Sequence, residues 1–224
     1  MKKYSLLSLA IISFSLLISS AYNPVLAENL DSNNTTIFIA EDVTEGQGSN
    51  AIDYTVPDTV PAISQPKPNA CWATSATMML GWREQTSYSI EQVMDKAGEK
   101  FRKIFDDDTG LKQADKEAFL SALNMTAEAP QSYTVEGLLS LLKKHGSLWV
   151  TTDEGSSSSP AIHARIVTGM KGDGTVDRTF LDIIDPADGT RKSESFRNFM
   201  GKFEQVASGD MKTGADVRIQ VVHF

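Results

Sequence analysis

The chain has 224 residues, 41% of them hydrophobic and 22% charged, which is the composition of a folded globular protein and excludes a disordered or collagen-like one. Its formal net charge is -8, and no basic stretch is denser than Leu142-Lys143-Lys144-His145, so the concentrated positive face that nucleic-acid binding needs is missing. One Cys and three scattered His rule out an internal disulfide framework and fit no zinc-ligand spacing, so neither a metal nor another cofactor is expected.

The first residues, Met1-Lys2-Lys3, precede an apolar, serine-interrupted run from Leu6 to Ala21 and then Val25-Leu26-Ala27. That order of charged, apolar and small residues is a secretory signal of bacterial style, residues 1–27, cleaved after Ala27. The run is short and Ser-rich for a spanning helix, so the expected product is periplasmic or extracellular, with no stable membrane association. Residues 28–51 are polar and acidic around one apolar run, Ile37-Phe38-Ile39-Ala40. They read as a flexible lead segment, either a pro-segment or a linker. Residues 52–224 form the domain, and its lone Cys71 needs its own explanation, because exported proteins usually carry none or an even number in disulfides.

From Ile52 to Gln65 the chain is extended but irregular, broken by prolines 57, 61 and 66. A helix starts at Cys71, with Trp72, Ala76, Met79 and Leu80 at helical spacing, and ends near Arg83. Ser89 and Gln92 form a capping-box pattern that opens a second helix to about Lys100. Asp115 to Leu123 and Val135 to Lys144 are two more, the latter closed by His145-Gly146. The period then changes. Leu148 to Thr152, His163 to Met170, Thr179 to Asp185 and Asp216 to Val222 are strands rich in β-branched and aromatic residues, with a serine-rich loop from Asp153 to Pro160 and a short helix from Ser195 to Gln205. The expected class is α+β, a helical half followed by an antiparallel sheet.

A lone Cys is most often a buried core residue. At a helix start, however, unpaired backbone N–H groups and the helix dipole stabilise a thiolate, and the residues around Cys71 favour that reading. Gln65 stands six positions before it and Trp72 follows it. The run Gln65-Pro66-x-x-Asn69-Ala70-Cys71-Trp72-Ala73, with Met78-Met79-Leu80-Gly81-Trp82 beyond it, resembles papain-like cysteine peptidases, most closely a bacterial branch of secreted peptidases and effectors related to the bacteriocin leader peptidases. The resemblance continues through Ser132-Tyr133-Thr134, Gly146-Ser147-Leu148-Trp149-Val150, His163-Ala164-x-x-Val167-Thr168-Gly169 and Asp185-Pro186-x-x-Gly189. It covers residues 55 to 205 in order. Plant papains carry an upstream Cys and a longer Cys-to-His gap, so this is a minimal papain-like fold from which no substrate specificity carries over.

The resemblance implies a peptide or protein substrate, with Cys71 as nucleophile, His163 as base and acid, Asp185 orienting the imidazole, and Gln65 with the Cys71 N–H as oxyanion hole. His145, at a helix C-terminus, has a better structural role, and His223 is expected on a frayed terminal strand. Asp182 competes with Asp185. A hairpin turning about Gly174 would set 163 opposite 185 and 182 opposite 166, which favours Asp185. A cell-wall amidase, a transglutaminase-like enzyme and a catalytically dead binding module are the alternatives, and oligomeric state is left open.

Overall fold

The computed structural model describes residues 51–156 and 158–224. The expected signal, residues 1–27, and all of the lead segment except Ala51 lie outside the described residues. In chain order the elements are β1 (Ile52–Thr55), α1 (Cys71–Glu84), α2 (Ile90–Ala97), α3 (Glu99–Asp106), α4 (Gln113–Ala122), β2 (Thr126–Ala127), α5 (Val135–His145), β3 (Leu148–Asp153), β4 (Ile162–Gly172), β5 (Thr179–Asp185), β6 (Thr190–Ser195), α6 (Phe196–Thr213) and β7 (Val221–His223).

The strands form one antiparallel sheet in the order β2-β7-β3-β4-β5-β6. β4 is its axis: β3 pairs with residues 162–167, and β1 takes over the same edge at 169–172. Alternation along β3 sends Trp149 to one face and Leu148 and Val150 to the other. The first face packs on α1 to α4 through Ala164, Ile166, Ile184 and Val222, and the second packs on α5 and α6 through Val167, Leu181 and Ile183. The result is an α+β architecture with helices on both faces of the sheet. The aromatic rings of Trp72, Phe119 and Trp149 meet edge to face beneath the start of α1, with centroids 4.9 and 6.4 Å apart.

Most expected elements appear where the pattern sets them, including the reciprocal Ser89–Gln92 capping box. The second helix is shorter than expected, because Gly98 takes φ 111° and splits the segment into α2 and α3. The last helix is longer, running to Thr213 before Gly214 ends it in the left-handed region. The final strand is shorter, beginning at Val221. The β4–β5 register also differs from a hairpin about Gly174. Ile166 pairs with Ile184 and Gly169 with Asp182, with an irregularity between Val167 and Gly169, because the connection spans the whole of residues 173–178 and a bulge adds one residue to β4.

Candidate active site

Cys71 is the first residue of α1, following the helix cap at Ala70. The chain reaches this point through a tight loop: the Ala70 N–H donates to the Lys67 carbonyl, and Asn69 is held on Asp108 through both its backbone N–H and its side-chain amide. The thiol therefore lies where the first-turn N–H groups have no helical acceptors. Across from it, Ile162, His163 and Ala164 open β4, and the three share a cleft of about 220 Å³ with Cys71.

The His163 Nε2 donates to Asp185 Oδ1 at 2.7 Å, and the imidazole lines the same cleft as the Cys71 thiol. Both the His163 and Asp185 side chains are largely buried, at 15% and 14% exposure. Asp185 Oδ1 also accepts the Ala187 N–H at 2.9 Å, and its Oδ2 accepts Lys192 Nζ at 3.1 Å. The turn behind Asp185 is fixed to the segment before α1. Gln65 N donates to the Pro186 carbonyl at 2.7 Å, and Gly189, at φ +67°, lies so close that a Cβ there would come within 2.8 Å of Ser64 N. Only glycine fits that position without strain.

Burial on its own raises the thiol, but the hydrogen bond to His163, the backbone N–H of Ala164, the charge of His163 and the Trp72 N–H leave Cys71 below its ordinary 9.0. Burial likewise opposes the imidazolium, yet hydrogen bonds to Asp185 and Cys71 and their charges lift His163 to about 9. Burial raises Asp185 too, and its hydrogen bonds from His163, Ala187 and Lys192 hold it well below the usual carboxylate range. All three shifts run in the same sense, toward a thiolate, an imidazolium and a carboxylate.

Gln65 is not among the residues lining the cleft, and its amide faces its own loop: Nε2 donates to the carbonyls of Lys67 (2.9 Å) and Pro68 (2.8 Å). Either contact must be released before the amide can reach a substrate oxygen. Asp182 stands apart, opposite Gly169 and near Lys171 at 3.4 Å. The sequence argument missed Lys192, whose contact with Asp185 depends on the β5–β6 hairpin, and Lys116 of α4, which lines the cleft. No sequence spacing signals either of them.

The other two histidines form a separate cluster. His223 is 4% exposed, where a frayed end was expected, and it stacks on His145 with centroids 3.6 Å apart and planes 26° apart. Its Nε2 meets Glu128 at 2.9 Å. Donor atoms of these three residues lie within 4.8 Å of one another, but near-parallel rings aim their in-plane lone pairs side by side and not at one point. The cluster joins the ends of β2, α5 and β7.

A family described as papain-like cysteine protease AvrRpt2 matches residues 51–204. No curated protein matches the chain. Among solved structures, one described as a C39-like peptidase from Bacillus anthracis is similar at 13% identity, with a TM-score of 0.47, over 75% of this chain and 95% of that one. The family match spans well over half of the chain and includes Cys71, His163 and Asp185, so the protein belongs to the AvrRpt2 family of papain-like cysteine proteases and is a cysteine peptidase.

Proposed function

We propose that this peptidase is exported and hydrolyses internal peptide bonds through Cys71, His163 and Asp185 by way of a covalent acyl-enzyme. The observation that carries the reading is that Cys71 and His163 line one cleft, with Asp185 on His163 Nε2 at 2.7 Å. Because Nε2 is committed to Asp185, Nδ1 is the nitrogen that serves Cys71. The thiolate attacks the scissile carbonyl. The Nδ1 proton of His163 then passes to the leaving amine, giving a Cys71 thioester. In the second half, Nδ1 takes a proton from water, which attacks the thioester and frees the acid. The Cys71 N–H, and Gln65 once it lets go of one loop carbonyl, would hold the oxyanion, each donor contributing about 3 kcal/mol.

Export through the signal at residues 1–27 is supported by the residue order there, and the chain holds one thiol, Cys71. In an oxidising compartment that thiol has no intramolecular partner, so it stays available for catalysis.

The test is cleavage of a proteome-derived peptide library by wild type and Cys71→Ala, alongside muropeptide and amine-transfer substrates. Peptide cleavage lost in Cys71→Ala, with its circular dichroism unchanged, is the expected result. Cleavage that persists in the variant, or turnover confined to the other substrates, would refute the reading.

A further inference from the structure

The cleft at Cys71 has an unusual charge. The chain carries 29 acidic and 21 basic residues, yet no Asp or Glu lines this cleft, whereas Lys116 and Arg218 both do. Arg218 is matched by Asp210, and the buried Arg165 by Glu154 and Glu194. Lys116 differs. It is 7% exposed, and its Nζ donates to two neutral groups, Thr151 Oγ1 at 3.2 Å and the Ile219 carbonyl at 2.8 Å, above the ring of Trp149 at 5.0 Å. Among the described residues no carboxylate lies within ion-pair distance of it. Burial, then Arg218 nearby, bring its pKa down to about 7 against the opposing charge of Cys71, so no carboxylate offsets its burial.

A second group in the same wall also lacks a partner. Trp149, 1% exposed, has an indole N–H with no acceptor among the described residues. Both groups are donors. An ammonium has three hydrogens, of which two are used here, so an anionic acceptor in the cleft would answer the third. Lys116 is also not among the groups that lower the thiol, which are His163 and the backbones of Ala164 and Trp72. The apolar side chains of Leu111 and Ile162 elsewhere on the lining suit the methylenes of an acidic side chain.

We propose that Lys116 determines specificity by binding a substrate carboxylate, the side chain of an Asp or Glu close to the scissile bond, in the cleft beside Cys71. This rests on the peptidase reading above. A free C-terminal carboxylate has the same chemistry, so the substrates must separate the two sources.

The experiment measures kcat/KM of the mature protein on end-blocked peptides carrying Glu, Gln, Asp, Asn or Leu at each position around the cleaved bond, with free-acid and amide C-termini compared in parallel. At one position Glu or Asp should exceed its amide counterpart by about tenfold or more, the usual gain from a buried charge-assisted hydrogen bond. In Lys116→Met, which keeps the volume, that ratio should fall to about one. A free-acid preference in place of the side-chain preference would overturn the assignment to Asp or Glu. A wild-type ratio near one at every position, or equal losses for Glu and Gln peptides in Lys116→Met, would overturn the proposal while leaving the peptidase reading intact. Failure to cleave any peptide while Cys71 still alkylates would remove the peptidase reading, and this proposal with it.

Discussion

Replacing Asp185 should damage catalysis far more than replacing Asp182, and the structure supplies a magnitude. His163 is held at about 9 against an ordinary 6.5, which at about 1.4 kcal/mol per pH unit is roughly 3 kcal/mol in favour of the imidazolium. Burial works against that charge, and the Asp185 hydrogen bond ranks first among the causes that support it, ahead of Cys71. If Asp185 supplies half, its removal costs the thiolate–imidazolium pair about 1.5 kcal/mol, or on the order of tenfold in population. Lost orientation of the ring adds to this in Asp185→Ala. Asp185→Asn can still accept the Nε2–H and Ala187 N–H bonds, so it should keep more activity. Asp182→Ala removes only a half-exposed contact with Lys171 and should stay within about twofold. The assay is kcat/KM at pH 7 on one peptide substrate, with thermal unfolding as the control for folding. An Asp182→Ala loss equal to or greater than that of Asp185→Ala would show that the third catalytic position is assigned wrongly.

Gly146→Ala would drive a Cβ to 2.1 Å from the Trp82 ring at φ +80°, so it should cost on the order of 3 kcal/mol and lower the unfolding midpoint by several degrees; an unchanged midpoint would contradict the packing described. Gln65→Ala should lower kcat on the order of 100-fold with little change in KM if the amide turns to the oxyanion, whereas reduced stability with kcat preserved would restrict Gln65 to its loop. The pH profile of kcat/KM should fall on the alkaline side near 9, as His163 loses its proton, and an alkaline limb near 6.5 would contradict the His163–Asp185 pairing. Stability follows the same groups: the His163 contribution is complete below 6.5 and lost as pH rises through about 9, while that of Asp185 is present above 3.8 and lost as pH falls toward its depressed value. Thermal unfolding across that range checks both signs.

The helix that begins at Cys71 was legible because its cause is local: the loop before Cys71 and the apolar spacing after it are written in adjacent residues. β5 was legible for the same reason. Asp185 is instructive because the residue was chosen through a register that does not occur. With 166 opposite 184 and 167 opposite 183, the ladder extends to set 165, not 163, opposite 185. His163 reaches Asp185 along the diagonal, a span that long side chains cover. What defeated the sequence reading was a bulge and a loop longer than its Asp-Gly turn signal implied. β1 and β2 were missed because they are four and two residues long, and β6 because its residues, Thr190–Ser195, are polar and pair only at a sheet edge, where tertiary context outweighs local propensity. His223 seemed frayed because its partners, Glu128 and His145, are remote in sequence. Lys116 is hidden for a further reason, since nothing in a helical Lys predicts burial in the cleft that Cys71 lines.

The Asp185 turn and the Gln65 segment are joined directly. The Gln65 N–H donates to the Pro186 carbonyl, Gly189 lies against Ser64, and Arg191 at the start of β6 donates to the Val60 carbonyl at 2.6 Å. Residues 60–65 are therefore held by the chain that follows β5, and they in turn lead into the loop that delivers Cys71 to α1. Through these contacts the thiol, from the helical half, and the carboxylate, from the sheet, share one support. His163 is fixed separately. Its β4 neighbour Arg165 is locked by Glu154 and Glu194, with Lys202 bridging the same two carboxylates. Asp153 Oδ1 closes the preceding loop onto the N–H groups of Gly155 and Ala161. Buried ion pairs contribute little net stability but strongly favour one arrangement over others when every member is paired. Fixing the imidazole strand in that way is the use this network best explains, because a thiolate–imidazolium pair persists only where both partners are held at hydrogen-bonding distance before substrate arrives.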